Sequence, residues 1–244
     1  MEYNSIMERK TVKLQGFDVD SFSFDEAINY IYEHKGIVVT INPEMIQCAK
    51  SNSEFKNIIK NANLVIPDGI GVEIGLKILG HNVKRIAGIE FAKQLVKTFY
   101  EKSKSVAFIG AKPEIIEKAV QNLETEFDGL KVCYVQDGYF KDDDRVLREL
   151  KDSGAELVLA ALGSPKQELF ISQASKLLPN AVLIGIGGSF DVWSGVVQRA
   201  PVIYQKMGLE WLYRTVKEPK RFKRIFPTLP LFVLNVIKEK LFGE

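Results

Sequence analysis

The sequence predicts an α/β protein: a mostly parallel sheet covered by helices, with a helical, basic and apolar appendage at the C-terminal end. Three observations carry that expectation. Short β-rich runs alternate with helix-length amphipathic segments through about the first 200 residues, the pattern of strands joined by helical crossovers. The segments after the apolar runs are rich in Gly, Pro and small polar residues, as strand-to-helix junctions demand. From residue 204 the character changes, with nine Lys or Arg against four Asp or Glu. That leaves a tail near +5 on a body near −3, within a chain of net charge +2.

The strands are expected at 37–41 (IVVTI), 64–66, 105–109 (SVAFI), 131–135, 157–161 (LVLAA) and 181–184. They are short, apolar and β-branched, as strands buried on both faces are. Helices are expected at 24–34, 44–62 with a break around 51–53, 91–102, 113–127, 142–152 and 165–178. Ser23 followed by Asp25 and Glu26 is a capping signal, and Pro113 and Pro165 suit a first helical turn. No internal repeat or low-complexity segment interrupts the series.

Length and composition narrow the class. A chain of 244 residues accommodates one large α/β body, taken as 1–200, and an appendage, taken as 201–244. The 46% hydrophobic and 26% charged fractions are those of a globular protein. Cys48 and Cys133 form no CxxC, which argues against a disulfide framework or a cysteine-rich zinc site. Residues 1–10 contain no apolar signal core, and no apolar run approaches the roughly 18 residues of a spanning helix. The expected location is therefore the cytoplasm.

Ligands of open α/β sheets bind beyond the carboxyl ends of the strands, so those loops are where chemistry is sought. Asp68 follows the 64–66 strand between Pro67 and Gly69. It is suited either to accept a proton from a hydroxyl at the mouth of a cleft or to cap a helix beginning near Ile70. Gly185-Ile-Gly-Gly-Ser189 fails the Rossmann GxGxxG fingerprint, because Phe190 stands where the third glycine belongs. It is either a diphosphate-binding glycine loop or a tight turn. There is no GxxxxGK[ST], which excludes a P-loop NTPase. Asp18/Asp20 and Asp142/Asp144 have the DxD spacing of metal-binding sugar transferases, but both pairs read as structural, the second as helix-start acids. His34 and His81 have no ligand-spaced partner. Gln167 and Lys166, in Ser164-Pro-Lys-Gln-Glu168, can meet polar groups or phosphate, although a polar helix start explains them locally.

The tail interleaves bases with Trp211, Tyr213, Phe222 and Phe226, then runs apolar through Leu231, Phe232, Leu234, Val236, Ile237 and Leu241. Pro227 and Pro230 are expected to break this run, leaving a helix over 231–242 of about 18 Å. That is too short to span a bilayer but suited to lie on an anionic membrane surface. A docking helix or homo-oligomer contact is the alternative. Nucleic acid is disfavoured, because the body is acidic and carries no recognition motif.

Taken in order, the loops resemble the WecG/TagA/CpsF family of bacterial glycosyltransferases. The matching elements are Thr40-Ile-Asn-Pro-Glu44, Pro67-Asp-Gly-Ile-Gly71, Arg85 with Gly88, Phe108-Ile-Gly110, Gly138-Tyr139, Gly163-Ser-Pro-Lys-Gln-Glu168, Gly187-Gly-Ser-Phe-Asp191 with Ser194-Gly195, Arg199-Ala-Pro201, Gly208-Leu-Glu-Trp-Leu-Tyr-Arg214, Glu218-Pro219, Arg221 and Arg224. The resemblance covers about residues 12–225 and implies an α/β sugar transferase of its own fold type that needs no metal or other cofactor, in keeping with the Rossmann-like sheet expected from the strand pattern. It further implies transfer of N-acetylmannosamine from its UDP form to N-acetylglucosamine on undecaprenyl diphosphate, for wall teichoic acid linkage units. A related transfer of a uronic-acid sugar is the alternative within the family. On that resemblance Asp68 is the general base, and Thr40, Asn42 and Gln167 line the sugar pocket. Arg85, Arg214, Arg221 and Arg224 meet phosphates, while Gly110, Gly187, Gly188 and Asp191 lie on the nucleotide side. The implied partners are the UDP-sugar donor, a polyprenyl-diphosphate-linked acceptor and the inner face of the cell membrane. The contrasting class is a nucleotide-binding regulatory protein without turnover.

Overall fold

The computed structural model describes residues 8–217 and 222–243, without the side chains at 214 and 222–224. A hairpin opens the chain, β1 (Thr11–Leu14) and β2 (Phe17–Asp20), followed by α1 (Phe24–His34) and β3 (Gly36–Ile41). Then come α2 (Pro43–Ser51), α3 (Ser53–Lys60), β4 (Leu64–Pro67), α4 (Ile70–Leu79), α5 (Gly88–Glu101) and β5 (Val106–Gly110). The body continues with α6 (Pro113–Glu126), β6 (Val132–Gln136), α7 (Asp143–Asp152), β7 (Leu157–Ala161), α8 (Lys166–Leu177), β8 (Val182–Gly185) and α9 (Ser189–Trp193). The tail adds α10 (Val202–Lys206), α11 (Glu210–Lys217) and α12 (Phe222–Phe242).

Six strands form one parallel sheet in the order β4-β3-β8-β7-β5-β6. Alternation along each strand sends side chains to opposite faces. Val38, Leu64, Ile66, Phe108, Leu159 and Ile184 pack with α1, α5 and α6. On the other face Val39, Ile41 and Val65 meet α2, α3 and α4, while Ile109, Val158 and Leu183 meet α7 and α8. The expected mostly parallel Rossmann-like sheet covered by helices is what the chain forms.

The break expected around 51–53 in the 44–62 segment falls at Asn52, between α2 and α3. Asn52 is extended at φ −125°, and its side chain accepts from the N–H of Phe55 to start α3. Ser23 and Glu26 form a reciprocal capping box at α1.

The hairpin lies outside the expected strand set. Its turn, Gln15-Gly16, has φ of 49° and 80°, the left-handed pair that tight hairpins use. It explains both residues of the first acidic pair. Asp18 pairs with Lys13, and buried Asp20 pairs with Arg9 while accepting from the N–H of Val65 on edge strand β4. The hairpin is thus pinned to an edge whose backbone donors need partners. Asp142 caps α7 by accepting from the N–H of Arg145, and Asp144 lies in that helix's first turn.

The tail departs from expectation in two ways. Pro227 and Pro230 do not break it: α12 is a single helix of 21 residues. Proline's fixed φ is compatible with a helix even where its ring removes an internal bond, and here the helix rests on the body. Phe232 and Val236 are fully buried against Leu14, Met45, Val72 and Leu76 in the core beneath α2 and α4. Glu239 accepts from the N–H of Gln15, the Gln15 amide donates to the carbonyl of Phe232, and Lys240 donates to the carbonyl of Ile78. Gly75 makes the approach feasible, since a Cβ there would stand 3.0 Å from the Phe232 ring. Among the described residues no helix is long and apolar enough to cross a membrane.

Candidate functional site

One end of the sheet gathers the loops into a site. β4, β3, β8 and β7 are adjacent, so the segments leaving their carboxyl ends lie side by side. They open on a cavity of about 1220 Å³, larger than the roughly 300–1,000 Å³ of a pocket for one small molecule. Thr40, Asn42, Asp68, Arg85, Gln167, Gly187, Gly188 and Asp191 all line it. Gly110 does not: it ends β5, on the far side of β7, where a Cβ would stand 2.3 Å from the carbonyl oxygen of Ala161. Its backbone at φ +115° and that close approach explain the glycine without a ligand.

Asp68 leaves β4 with its N–H donating to the carbonyl of Ile41. It does not cap α4: the N-cap is Gly69, with no side-chain cap bond. Its carboxylate instead accepts from the N–H of Gly88, 3.4 Å away at the start of α5. Burial pushes the carboxyl up to about 6, and Glu210 pushes the same way, against the Gly88 N–H and the charge of Arg85. A carboxylate held there is ionised at neutral pH yet basic enough to take a proton.

The neighbouring groups are held as firmly. Asn42 caps α2, accepting from the N–H of Met45 at 3.0 Å. Thr40 sits against Gly88, where a Cβ would come within 3.2 Å of its methyl group. Gln167 is 4% exposed, and its amide oxygen accepts from the N–H of Gly187 at 3.1 Å. Its amide nitrogen donates to Glu168 at 2.8 Å, a buried carboxyl that burial pushes up. The glycine loop, the α8 start and the β8 end are therefore one hydrogen-bonded unit. A Cβ at Gly185 would stand 2.5 Å from that amide nitrogen.

The tail closes one side. Arg85 donates through its guanidinium to the carbonyl of Gln205 and through its backbone to Glu73. Arg199 pairs with Glu90 of α5 at 2.9 Å and Glu210 of α11 at 3.5 Å. Glu210, Trp211, Leu229 and Phe232 line the cavity. Arg199 in Arg199-Ala-Pro201 and Glu210 in Gly208-Leu-Glu-Trp211 are not site residues by sequence alone, because their importance is a contact between segments that spacing does not display. Of the tail arginines, Arg214 lies on α11 and Arg224 on α12. Their side chains, and Arg221 altogether, lie outside the described residues. Among the described residues no cluster of His, Cys, Asp or Glu is built to hold a metal ion.

An open parallel sheet with a near-neutral carboxylate, a glycine loop and one large cavity at its carboxyl edge defines an enzyme acting on bound small molecules. The sequence pattern of the glycosyl transferase WecG/TagA/CpsF family matches residues 12–244. A relative from Bacillus spizizenii strain W23, named N-acetylglucosaminyldiphosphoundecaprenol N-acetyl-beta-D-mannosaminyltransferase, is 36% identical over 225 residues, 91% of this chain and 87% of its own. A protein of the same name from Bacillus subtilis strain 168 is 36% identical over 214 residues, 87% of this chain and 83% of its own. The chain belongs to the WecG/TagA/CpsF glycosyltransferase family and is a hexosyltransferase.

Proposed function

We propose that this enzyme moves N-acetylmannosamine from UDP-N-acetylmannosamine to N-acetylglucosaminyl-diphospho-undecaprenol, with inversion, in making the linkage unit of wall teichoic acid. The carrying observation is Asp68, a carboxylate held at about 6 in a cavity with room for donor and acceptor together. The names of the relatives support the transferred sugar and the acceptor.

In a single in-line displacement the acceptor hydroxyl oxygen bonds to the anomeric carbon on the face opposite the nucleotide. The bond from that carbon to the diphosphate oxygen breaks, UDP leaves with the electron pair, and Asp68 takes the hydroxyl proton. Thr40, Asn42 and Gln167 bind the sugars. The N–H groups of Gly187 and Gly188 and the nearby Asp191 form the nucleotide side, and Arg85 with Arg214, Arg221 and Arg224 meets the developing diphosphate charge. The enzyme works at the inner membrane face. Trp211, Leu212, Val216, Phe226 and Phe242 are exposed apolar side chains on a tail rich in Lys and Arg, which suits the interface of an anionic bilayer.

The test is product mass spectrometry with the lipid-diphosphate acceptor and each of two donors, UDP-N-acetylmannosamine and the corresponding uronic-acid donor. A mass gain of one N-acetylhexosamine is expected. Gain of the uronic acid alone moves the assignment to the other sugar, and UDP binding without product reduces the protein to a nucleotide binder.

A further inference from the structure

The cavity does not end at the catalytic loops. It continues as a trough between α2, α4 and α12. On α4 the lining positions are 70, 71, 74, 75 and 78, and on α12 they are 225, 228, 229, 232, 233 and 236. Both sets recur at three- and four-residue spacing, so each is one stripe of its helix facing the same gap. Neither stripe carries a charged side chain. Along α4 the trough is about 10 Å long at 1.5 Å per residue. Its floor is the packed Phe232. Ile74 is 47% and Val233 40% exposed on its two walls, and the α2 side contributes Met45 and Cys48 together with the polar Glu44 and Gln47.

A strip open to water whose α4 and α12 walls are uncharged and mostly apolar, joined to a polar reaction chamber, is shaped for a ligand with a polar head and a hydrocarbon tail. We propose that this trough binds the first isoprene units of the polyprenyl acceptor, holding the chain between Ile74 and Ile78 on α4 and Leu229 and Val233 on α12. This rests on the acceptor assigned above and adds where its lipid lies. Two features single out the lipid. The polar end of the same cavity holds Asp68 and Arg85, so a sugar diphosphate there puts its attached chain at the trough entrance. Ile237, one helical turn beyond Val233, is also exposed, so the apolar wall continues along α12 toward its C-terminal end. The tail therefore has an acceptor-recognition role that does not depend on a bilayer.

The experiment uses the full chain without vesicles or detergent. The acceptors are N-acetylglucosamine diphosphate esterified with either a methyl or a geranyl group, both kept below micelle-forming concentration. The native protein is expected to show a KM for the geranyl acceptor lower by about tenfold or more, from the apolar area buried. Ile74→Asp and Val233→Asp, on opposite walls at positions exposed enough to accept a charge, are expected to erase that preference. A thermal melt reports whether each variant remains folded. Equal KM values for the two acceptors in the native protein overturn the trough assignment while leaving the transferase reading intact. A preference that persists in both variants overturns it as well. Absence of transfer to either acceptor overturns the acceptor assignment, and this one with it.

Discussion

Asp68 is positioned by opposing forces. Burial and Glu210 favour its neutral form, while the Gly88 N–H and Arg85 favour the charge. Asp68→Asn removes the proposed base while keeping the shape, so on that proposal turnover should fall by roughly 10²–10⁴-fold with UDP affinity little changed. Native activity should rise with pH through about 6, the value at which the carboxyl ionises. Stability should move the other way. A carboxyl raised on folding binds its proton more tightly in the native state, so native stability falls between the unfolded value, about 4, and about 6, then levels. The melting temperature of Asp68→Asn relative to native should therefore climb across that window and stay flat above it. A constant difference from pH 4 to 8 would falsify the burial argument. The sequence placed this carboxylate at a strand's end but left its partner open, because Gly88 lies 20 residues away. Asp142/Asp144 was legible as structural from its helix-start surroundings, and Asp142 does cap α7; for Asp18 and Asp20 the structural reason, holding the hairpin and its edge strand, appears only in the fold. Activity should accordingly survive EDTA, and loss restored by manganese would reopen Asp142 and Asp144.

Among the elements, β8 and α12 carry the strongest tests. Gly185 ends β8 under Gln167, whose amide is fixed at both ends and has little room to retreat. Gly185→Ala should displace it and lower kcat/KM by about 10²-fold, the scale of a 1 Å misplacement, with an overpacking cost of about 1–3 kcal/mol in stability. Unchanged kinetics would show that the Gln167 amide is not needed where it stands. On α12, Phe232→Ala removes a fully buried ring from the core under α2 and α4. A loss of about 3–5 kcal/mol is expected, a fall of roughly 10 °C in a chain of this size. The strands of the sheet were legible to within a residue or so, because runs such as Leu157–Ala161 are apolar throughout. The hairpin was not, although Val12, Leu14, Phe17 and Val19 do alternate with polar residues; each strand is only four residues long. The prolines misled for a different reason: propensity breaks an isolated helix, but Phe232 and Val236 supply packing that local sequence does not reveal.

At the scale of the whole molecule, the tail belongs to the fold and lines the cavity, and in the proposed function it is also the surface offered to lipid. The sequence showed its charge and apolar content but not its docking, which depends on Gly75, Gln15 and other residues far away in the chain. Ending the chain near Gly195 removes Phe232 and Val236 from one apolar cluster but leaves the other two, and with them the sheet, whole. We therefore expect a folded body with a lower melting temperature, almost no turnover on the lipid acceptor and no affinity for anionic vesicles. The intact chain should bind such vesicles at low salt and release them as salt rises. Each basic residue near the surface contributes about 1 kcal/mol, and the attraction fades within a Debye length of about 10 Å at 0.1 M. Replacing Arg214, Arg221 and Arg224 with Ala should cost turnover more than vesicle binding, since Lys206, Lys217, Lys220 and Lys223 remain to hold lipid. Sedimentation with vesicles and turnover on the same preparations separate the two losses. Equal losses would make the arginines part of the lipid contact alone, and a truncated body with full activity would remove the tail from catalysis altogether.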